Sequence, residues 1–264
     1  MGLQLLEDRI RTLGIVKDDK TILVDAFLNH RLDMELLNEM GRAWAKLFAD
    51  KPINKILTCE AGGIALAVVA AQYMGGIPVV FARKTNLVNV DPTVYSTKIL
   101  SSSTGKLTDI VVARKALGTG DRVLIIDDIL GNGCAINGLI DICWDAGAVI
   151  EGITVAIEKG FQQGGASLRD RGYDVRSLCT IERLGAAGDI RFRGIIKRQL
   201  FKHPLAWVLV GARGTVSTDS KEDTNGGLHH RNGIHFRPAQ DLARGTRRAV
   251  HQLRVHHGGR GIPG

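Results

Sequence analysis

Apolar residues recur along this chain in two rhythms, one of three- and four-residue steps and one of short unbroken runs. Leu3, Leu6, Ile10 and Leu13 fall at helical steps with Gly14 as a stop, which predicts a short amphipathic helix. Thr21 to Val24 reads as a brief strand. Asp33 can cap a second helix that carries Leu36, Leu37, Met40, Ala43, Trp44, Leu47 and Phe48 on one face and ends at Lys51-Pro52. Strand and helix signals then alternate: Lys55 to Cys59 β, Ile64 to Met74 α, Pro78 to Ala82 β, Arg122 to Ile126 β, Ala135 to Ala146 α and Val149 to Ile157 β. Ile56-Leu57, Val79 to Phe81 and Val123 to Ile126 are apolar without a break, as expected of strands covered by helices on both faces. The fold class that follows is α/β, a parallel sheet flanked by helices, with ligands expected at the carboxyl ends of its strands.

Two stretches depart from this pattern. Residues 83–108 are rich in Ser, Thr, Asn and Lys with a weak strand signal at Val94 to Leu100, and they read as a flexible hood over a polar site or as a disordered loop. After Arg193 Gly, Arg and His accumulate and no period persists beyond Leu205 to Val210. The expected organisation is a domain over 1–193 and a basic, largely disordered extension over 194–264.

Charge supports that division. Through residue 193, 23 Lys and Arg balance 23 Asp and Glu, so the net +8 of the 264 residues lies wholly in the last segment, 12 bases against 4 acids. Seven of the eight His are there as well. An electrostatic case for nucleic acid therefore exists only for the tail. Cys59, Cys134, Cys143 and Cys179 form no C-x-x-C pair, which argues against a zinc site or a disulfide framework. Charges interrupt the N-terminal segment where a signal peptide needs an apolar run, and no apolar run is long enough to span a bilayer. The expectation is a reduced, cytoplasmic setting with no membrane contact.

The strongest chemical feature is Val123-Leu124-Ile125-Ile126-Asp127-Asp128-Ile129-Leu130-Gly131-Asn132-Gly133-Cys134-Ala135. An apolar strand ends in two acids and runs through a small-residue turn into a helix. The carboxylates can accept hydrogen bonds from adjacent sugar hydroxyls, and the turn exposes N–H groups at a helix N-terminus, where a phosphate is stabilised. A Walker B strand also ends in Asp, but no G-x-x-x-x-G-K-[ST] occurs in the chain.

This motif resembles the phosphoribosyl pyrophosphate (PRPP) signature of the type I phosphoribosyltransferases. Val24 to His30, Cys59 to Ala65, Phe81 to Lys84 and Ile157 to Phe161 are similar to the substrate loops of the bacterial xanthine phosphoribosyltransferases in that family. The resemblance covers residues 1 to about 193 and implies the type I phosphoribosyltransferase fold, a homodimer and salvage of xanthine with PRPP. It implies that Asp127 and Asp128 hold the ribose hydroxyls as catalytic residues. Gly131, Asn132, Gly133, Cys134 and Ala135 would hold the 5′-phosphate. Ile22, Asn29 and Lys159 would meet xanthine, and Glu60, Ala61, Gly62, Gly63, Arg83 and Lys84 the pyrophosphate. Mg²⁺ would enter with PRPP and have no protein ligand of its own.

Read from the residues alone, alternatives stand beside these roles. Lys159 can be a solvated lysine at a strand end, Asn29 can stabilise a turn, and Arg83-Lys84 can be a solvated pair. His30 reads as structural, and Cys134 as a small residue of the turn or a thiol of lowered pKa. Two departures from the family matter. Hypoxanthine-guanine relatives carry an Asp where Gly131 stands, and the loss of that acid favours xanthine, the more acidic purine, with guanine as a weaker substrate. Glu60-Ala61-Gly62-Gly63 lacks the hydroxyl residues common in relatives. A PRPP-sensing regulator of nucleic acid is the rival class, disfavoured because the twenty residues before Thr21 are too few for a DNA-binding module.

Overall fold

The computed structural model describes residues 3–85, 92–100, 105–185 and 189–193. Ten strands and five α-helices follow in the order α1 (Gln4–Leu13), β1 (Ile15–Val16), β2 (Ile22–Leu23), α2 (Met34–Leu47), β3 (Lys55–Cys59), α3 (Gly62–Tyr73), β4 (Val79–Thr85), β5 (Val94–Leu100), β6 (Leu107–Ala113), β7 (Arg122–Leu130), α4 (Cys134–Ala146), β8 (Val149–Lys159), α5 (Gly164–Asp170), β9 (Val175–Leu184) and β10 (Ile190–Phe192). A π-helical turn, Asp25–Asn29, joins β2 to the segment before α2.

Eight strands form one sheet in the order β10-β9-β8-β7-β3-β4-β6-β5. Its middle, β9-β8-β7-β3-β4, is parallel, as crossovers through helices require. On β7 the side-chain alternation is visible directly. Leu124 and Ile126 enter a core shared with Leu36, Leu37, Trp44 and Leu66 of α2 and α3, whereas Val123 and Ile125 enter a second core with Ile136, Leu139 and Ile140 of α4. Both faces are dry, which explains the unbroken apolar run.

Asp33 caps α2 as the sequence predicts, its Oδ1 accepting the Leu36 N–H at 3.2 Å, and Arg9 of α1 binds its other oxygen at 2.7 Å. The strand read at Thr21 to Val24 is shorter, two residues paired with Ile15–Val16. The polar stretch 83–108 differs more from expectation. β4 continues to Thr85, and β5 and β6 form an antiparallel hairpin paired through β4. Cross-strand pairing, with Ile99, Ile110 and Val112 buried, stabilises what its polar composition had obscured. Residues 86–91 and 101–104, where a hood would open, lie outside the described residues, as does the basic extension 194–264. β1, α5, β9 and β10 lie outside the elements that the hydrophobic pattern predicts.

The β5–β6 hairpin is seated on α4 at Gly138. A side chain there would collide with Ile99 and stand 2.9 Å from Ile110 Cδ1 and 3.3 Å from Thr97 Cγ2. Gly138→Val is expected to cost about 1–3 kcal/mol by overpacking, read as a lower urea midpoint at unchanged slope.

Candidate active site

The carboxyl ends of β3, β4, β7 and β8 open into a cavity of about 510 Å³. Its floor is the acidic pair, but the two carboxylates do not follow the strand as the sequence suggests. β7 runs on to Leu130, with Asp127 opposite Val155 and Leu130 opposite Glu158 of β8, so the ladder fixes both acids. Asp127 Oδ1 accepts the Asp128 N–H at 3.0 Å, and Asp128 Oδ1 accepts the Ile129 N–H at 2.7 Å. Asp127 is 7% exposed. Burial first, and then the neighbouring Asp128 charge, push its carboxyl well above the usual range; burial also raises Asp128.

The loop after β3 exists to let these acids stand where they do. A β-carbon on residue 62 would collide with the Asp128 carboxylate, and one on residue 63 with Thr58 Oγ1 while lying 3.2 Å from Asp127 Oδ1. Gly62 and Gly63 are the residues that fit. Glu60 holds the loop against β4: its N–H donates to the Ala82 carbonyl at 3.0 Å, and its Oε1 accepts the Lys84 N–H at 2.5 Å. Cys59 also lines the cavity, but burial pushes its thiol up to about 12, so it is no nucleophile at neutral pH.

Gly131 to Ala135 form the turn into α4. Gly133 takes φ +83° at the N-cap, where only a glycine is unstrained, and leaves the first N–H groups of the helix facing outward. Asn132 Oδ1 accepts the Cys134 N–H at 3.3 Å, and the Asn137 amide donates to the Gly133 carbonyl at 2.9 Å. From the opposite side the Gly164 N–H donates to the Gly131 carbonyl at 3.1 Å. No side chain fits at 164, where a β-carbon would lie 2.7 Å from the Gly133 nitrogen.

Lys159, at the end of β8, is half-buried and donates to the Lys20 carbonyl at 2.8 Å, which ties the segment before β2 to the sheet. Burial lowers its pKa and the nearby Asp18 charge opposes that shift. The cavity therefore offers an acidic floor, a helix N-terminus and cations from Lys84 and Lys159, a combination suited to a phosphorylated sugar beside a polar ring.

Of the residues singled out in the sequence, Ile22, Glu60, Ala61, Gly62, Lys84, Asp127, Asp128, Gly131, Asn132, Ala135 and Lys159 line this cavity. Gly63, Gly133 and Cys134 adjoin lining residues in the chain and do not themselves line the cavity. The exposed Asn29 reaches its edge, with Oδ1 3.4 Å from the point where a Gly62 β-carbon would stand. Arg83 alternates away from Lys84 on β4 and is exposed outside the cavity of its own chain. Lys20, Thr21, Ile99, Leu100, Ile129 and Gln162 also line it and were not singled out. Gln162 had a signal, three residues past Lys159, whereas Ile99 and Leu100 arrive only through the hairpin.

The raised Asp127 pKa fixes the sign of a stability effect. Its neutral form favours the fold, so that contribution is complete below the ordinary value of 3.8 and is lost as pH rises through the folded value. Asp127→Asn, which keeps the acceptor for the Asp128 N–H, is expected to raise the unfolding midpoint at pH 8. The gain should vanish in scans below pH 3.8.

Comparison with known proteins agrees with this geometry. Residues 32–184 match the phosphoribosyl transferase domain model. The chain is 52% identical over 192 residues to the xanthine phosphoribosyltransferase of Bifidobacterium longum strain NCC 2705, covering 72% of this chain and 100% of that one. It is 49% identical over 193 residues to the xanthine phosphoribosyltransferase of Lachnoclostridium phytofermentans, covering 73% and 99%. Among solved structures, the adenine phosphoribosyltransferase of Giardia lamblia with 9-deazaadenine superposes with a TM-score of 0.56 at 22% identity over 68% of this chain and 98% of that one, which shows the shared fold. With its acidic strand end, glycine turn and doubly covered sheet, this chain belongs to the phosphoribosyltransferase family, alongside bacterial enzymes named xanthine phosphoribosyltransferase.

Proposed function

We propose that the protein transfers the 5-phosphoribosyl group of PRPP to xanthine, giving xanthosine 5′-monophosphate and pyrophosphate in purine salvage. The observation that carries the choice of base is the half-buried Lys159 lining the same cavity as Gly131, with its neighbour Asp18 outside the lining and no acid at position 131. A site so charged favours an anionic purine. Its high identity to relatives bearing that name, over their full length, points the same way.

In this reading Asp127 and Asp128 accept the ribose hydroxyls, and the Gly131 to Ala135 turn holds the 5′-phosphate at the N-terminus of α4. Lys159 and Asn29 take the purine edges and Ile22 packs on its face. The Glu60 to Gly63 loop and Lys84 receive pyrophosphate. Bond formation from the purine nitrogen to C1 accompanies departure of pyrophosphate, with positive charge building on the ribose, so the protein aligns two reactants and excludes water more than it performs covalent chemistry.

Among the described residues no group of three His, Cys, Asp or Glu could hold a metal ion. In this reading Mg²⁺ enters bound to the oxygens of PRPP, with no protein ligand of its own, and Asp127 and Asp128 remain with the ribose hydroxyls. Such a Mg²⁺ would neutralise the departing pyrophosphate.

The reading includes a cytoplasmic homodimer in which Arg83 reaches the partner's pyrophosphate. The exposed Phe81, 42%, two residues from Arg83 on β4, supports an interface there. No described helix is long and apolar enough to cross a membrane. Residues 1–193 form the transferase domain, and 194–264 form an extension beyond residues 32–184, which the family model matches. Nucleic acid binding, if any, belongs to that extension.

Spectrophotometric assay with PRPP and Mg²⁺ is expected to show nucleotide formation from xanthine, weaker turnover of guanine and little from hypoxanthine or adenine. Formation from none of them sinks the proposal. Asp127→Ala combined with Asp128→Ala should abolish turnover. Lys159→Ala should lower kcat/KM for xanthine by about 10- to 100-fold, the worth of one charge-assisted hydrogen bond. Equal loss for every purine would refute its role. A chain ending at Arg193 should keep kcat/KM within twofold.

A further inference from the structure

A turn that receives a phosphate through its N–H groups must keep its carbonyls pointed elsewhere, because a carbonyl oxygen swung toward the anion repels it. In the turn from β7 into α4 two carbonyls are tied down, and both ties lead to α5. The Gly131 carbonyl accepts the N–H of Gly164, the first residue of α5, at 3.1 Å. The Gly133 carbonyl accepts the Asn137 N–H and also the Asn137 side-chain Nδ2, each at 2.9 Å. The other end of that amide, Oδ1, accepts a hydrogen bond from Arg171 Nη1 at 2.5 Å. Arg171 caps the C-terminus of α5, and its guanidinium lies 5.1 Å from the centroid of the Tyr173 ring. α5 is itself pinned to the sheet. The Arg169 guanidinium meets both oxygens of the buried Glu158 at 2.7 Å, and Ser177 Oγ donates to the same carboxylate at 2.5 Å.

We propose that Asn137 and Arg171 are positioning residues for PRPP: Arg171 orients the Asn137 amide, and the amide holds the Gly133 carbonyl along α4 so that the turn's N–H groups stay aimed at the 5′-phosphate. This rests on the transferase reading above, in which that turn takes the phosphate. The peptide unit is planar and trans, so the Gly133 carbonyl and the Cys134 N–H point in opposite directions, and fixing one aims the other. The Cys134 N–H meets only Asn132 Oδ1, at a long 3.3 Å that a phosphate oxygen can replace. A side-chain amide can sit in two orientations a half-turn apart, one presenting N–H and the other oxygen. The guanidinium has donors only, so it settles the choice: Oδ1 goes to the arginine and Nδ2 to the carbonyl. Without Arg171 the flipped amide would set oxygen against oxygen. Neither side chain lines the cavity, so both act on the substrate through the turn.

The test is steady-state kinetics on the full chain with PRPP and xanthine varied separately, joined to calorimetric binding of ribose 5-phosphate, which reads the sugar and phosphate subsites without the base. Arg171→Met and Asn137→Leu are each expected to raise KM for PRPP and the dissociation constant of ribose 5-phosphate about three- to tenfold, the worth of one hydrogen bond, while KM for xanthine moves less than about twofold. Arg171→Lys, which keeps a donor for Oδ1, should fall between Arg171→Met and wild type. The double variant should match Asn137→Leu alone, because the arginine acts only through the amide. Arg183→Met, which removes another exposed ion pair, with Asp189, is the control and should change no constant. An active wild type whose Arg171→Met variant keeps its PRPP KM and its ribose 5-phosphate affinity overturns this inference alone, as does an equal rise in both KM values or additive loss in the double variant. A wild type that converts no purine but binds ribose 5-phosphate, with that binding weakened in Arg171→Met, removes the transferase reading and supports the positioning role. A wild type that neither converts a purine nor binds ribose 5-phosphate overturns both together. Circular dichroism and the urea midpoint of each variant separate a loss of binding from misfolding.

Discussion

Two adjacent carboxylates held inside a parallel sheet are the constraint around which this domain is arranged. Burying one ionised acid beside another costs several kcal/mol unless hydrogen bonds or cations compensate. The protein meets that cost with the β7–β8 ladder, with the N–H groups of Asp128 and Ile129, and by letting burial keep the Asp127 carboxyl protonated more readily than usual. The neighbours then had to make room. Gly62 and Gly63 lack side chains because the oxygens of Asp128, Thr58 and Asp127 occupy that space, and Glu60 turns its carboxylate to the Lys84 backbone.

Much of this was legible in the sequence because its physical cause is local. The run Val123 to Ile126 shows a strand buried on both faces, the Gly131 to Ala135 turn shows a helix N-terminus, and Asp33 shows a cap; each depends on residues within a few positions. Most of the loops that line the cavity were legible through family resemblance and only then as chemistry. What escaped depends on partners distant in the chain. β6 is a strand because Val111 pairs with Arg83 and Ser96, and its polar neighbours disguise the period. β9 carries Arg176, Glu182 and Arg183 among its buried positions, a pattern that is clear once β8 and β10 flank it. Ile99 and Leu100 join the cavity wall for the same nonlocal reason.

The two acids also separate signals that the sequence merges. Their position within β7 gives the proposed sugar subsite its rigidity, while the proposed purine subsite draws on the Asp25–Asn29 turn, the segment before β2 and the end of β8. Precision is greatest where the bond is made. The side chains proposed to read the base come from shorter, less regular segments or a strand end, where substitution costs the fold little.

The contact between Gly164 and Gly131 joins those two subsites. An N–H of the loop after Lys159 is bonded directly to the carbonyl that opens the phosphate turn, with no side chain between them. The two halves of the pocket cannot drift apart by rotamer changes, because the link is main chain to main chain. On the proposed assignment base preference can change through Lys159 while this link stays fixed, and a lesion at 164 would disturb the end of β8 and the turn into α4 together.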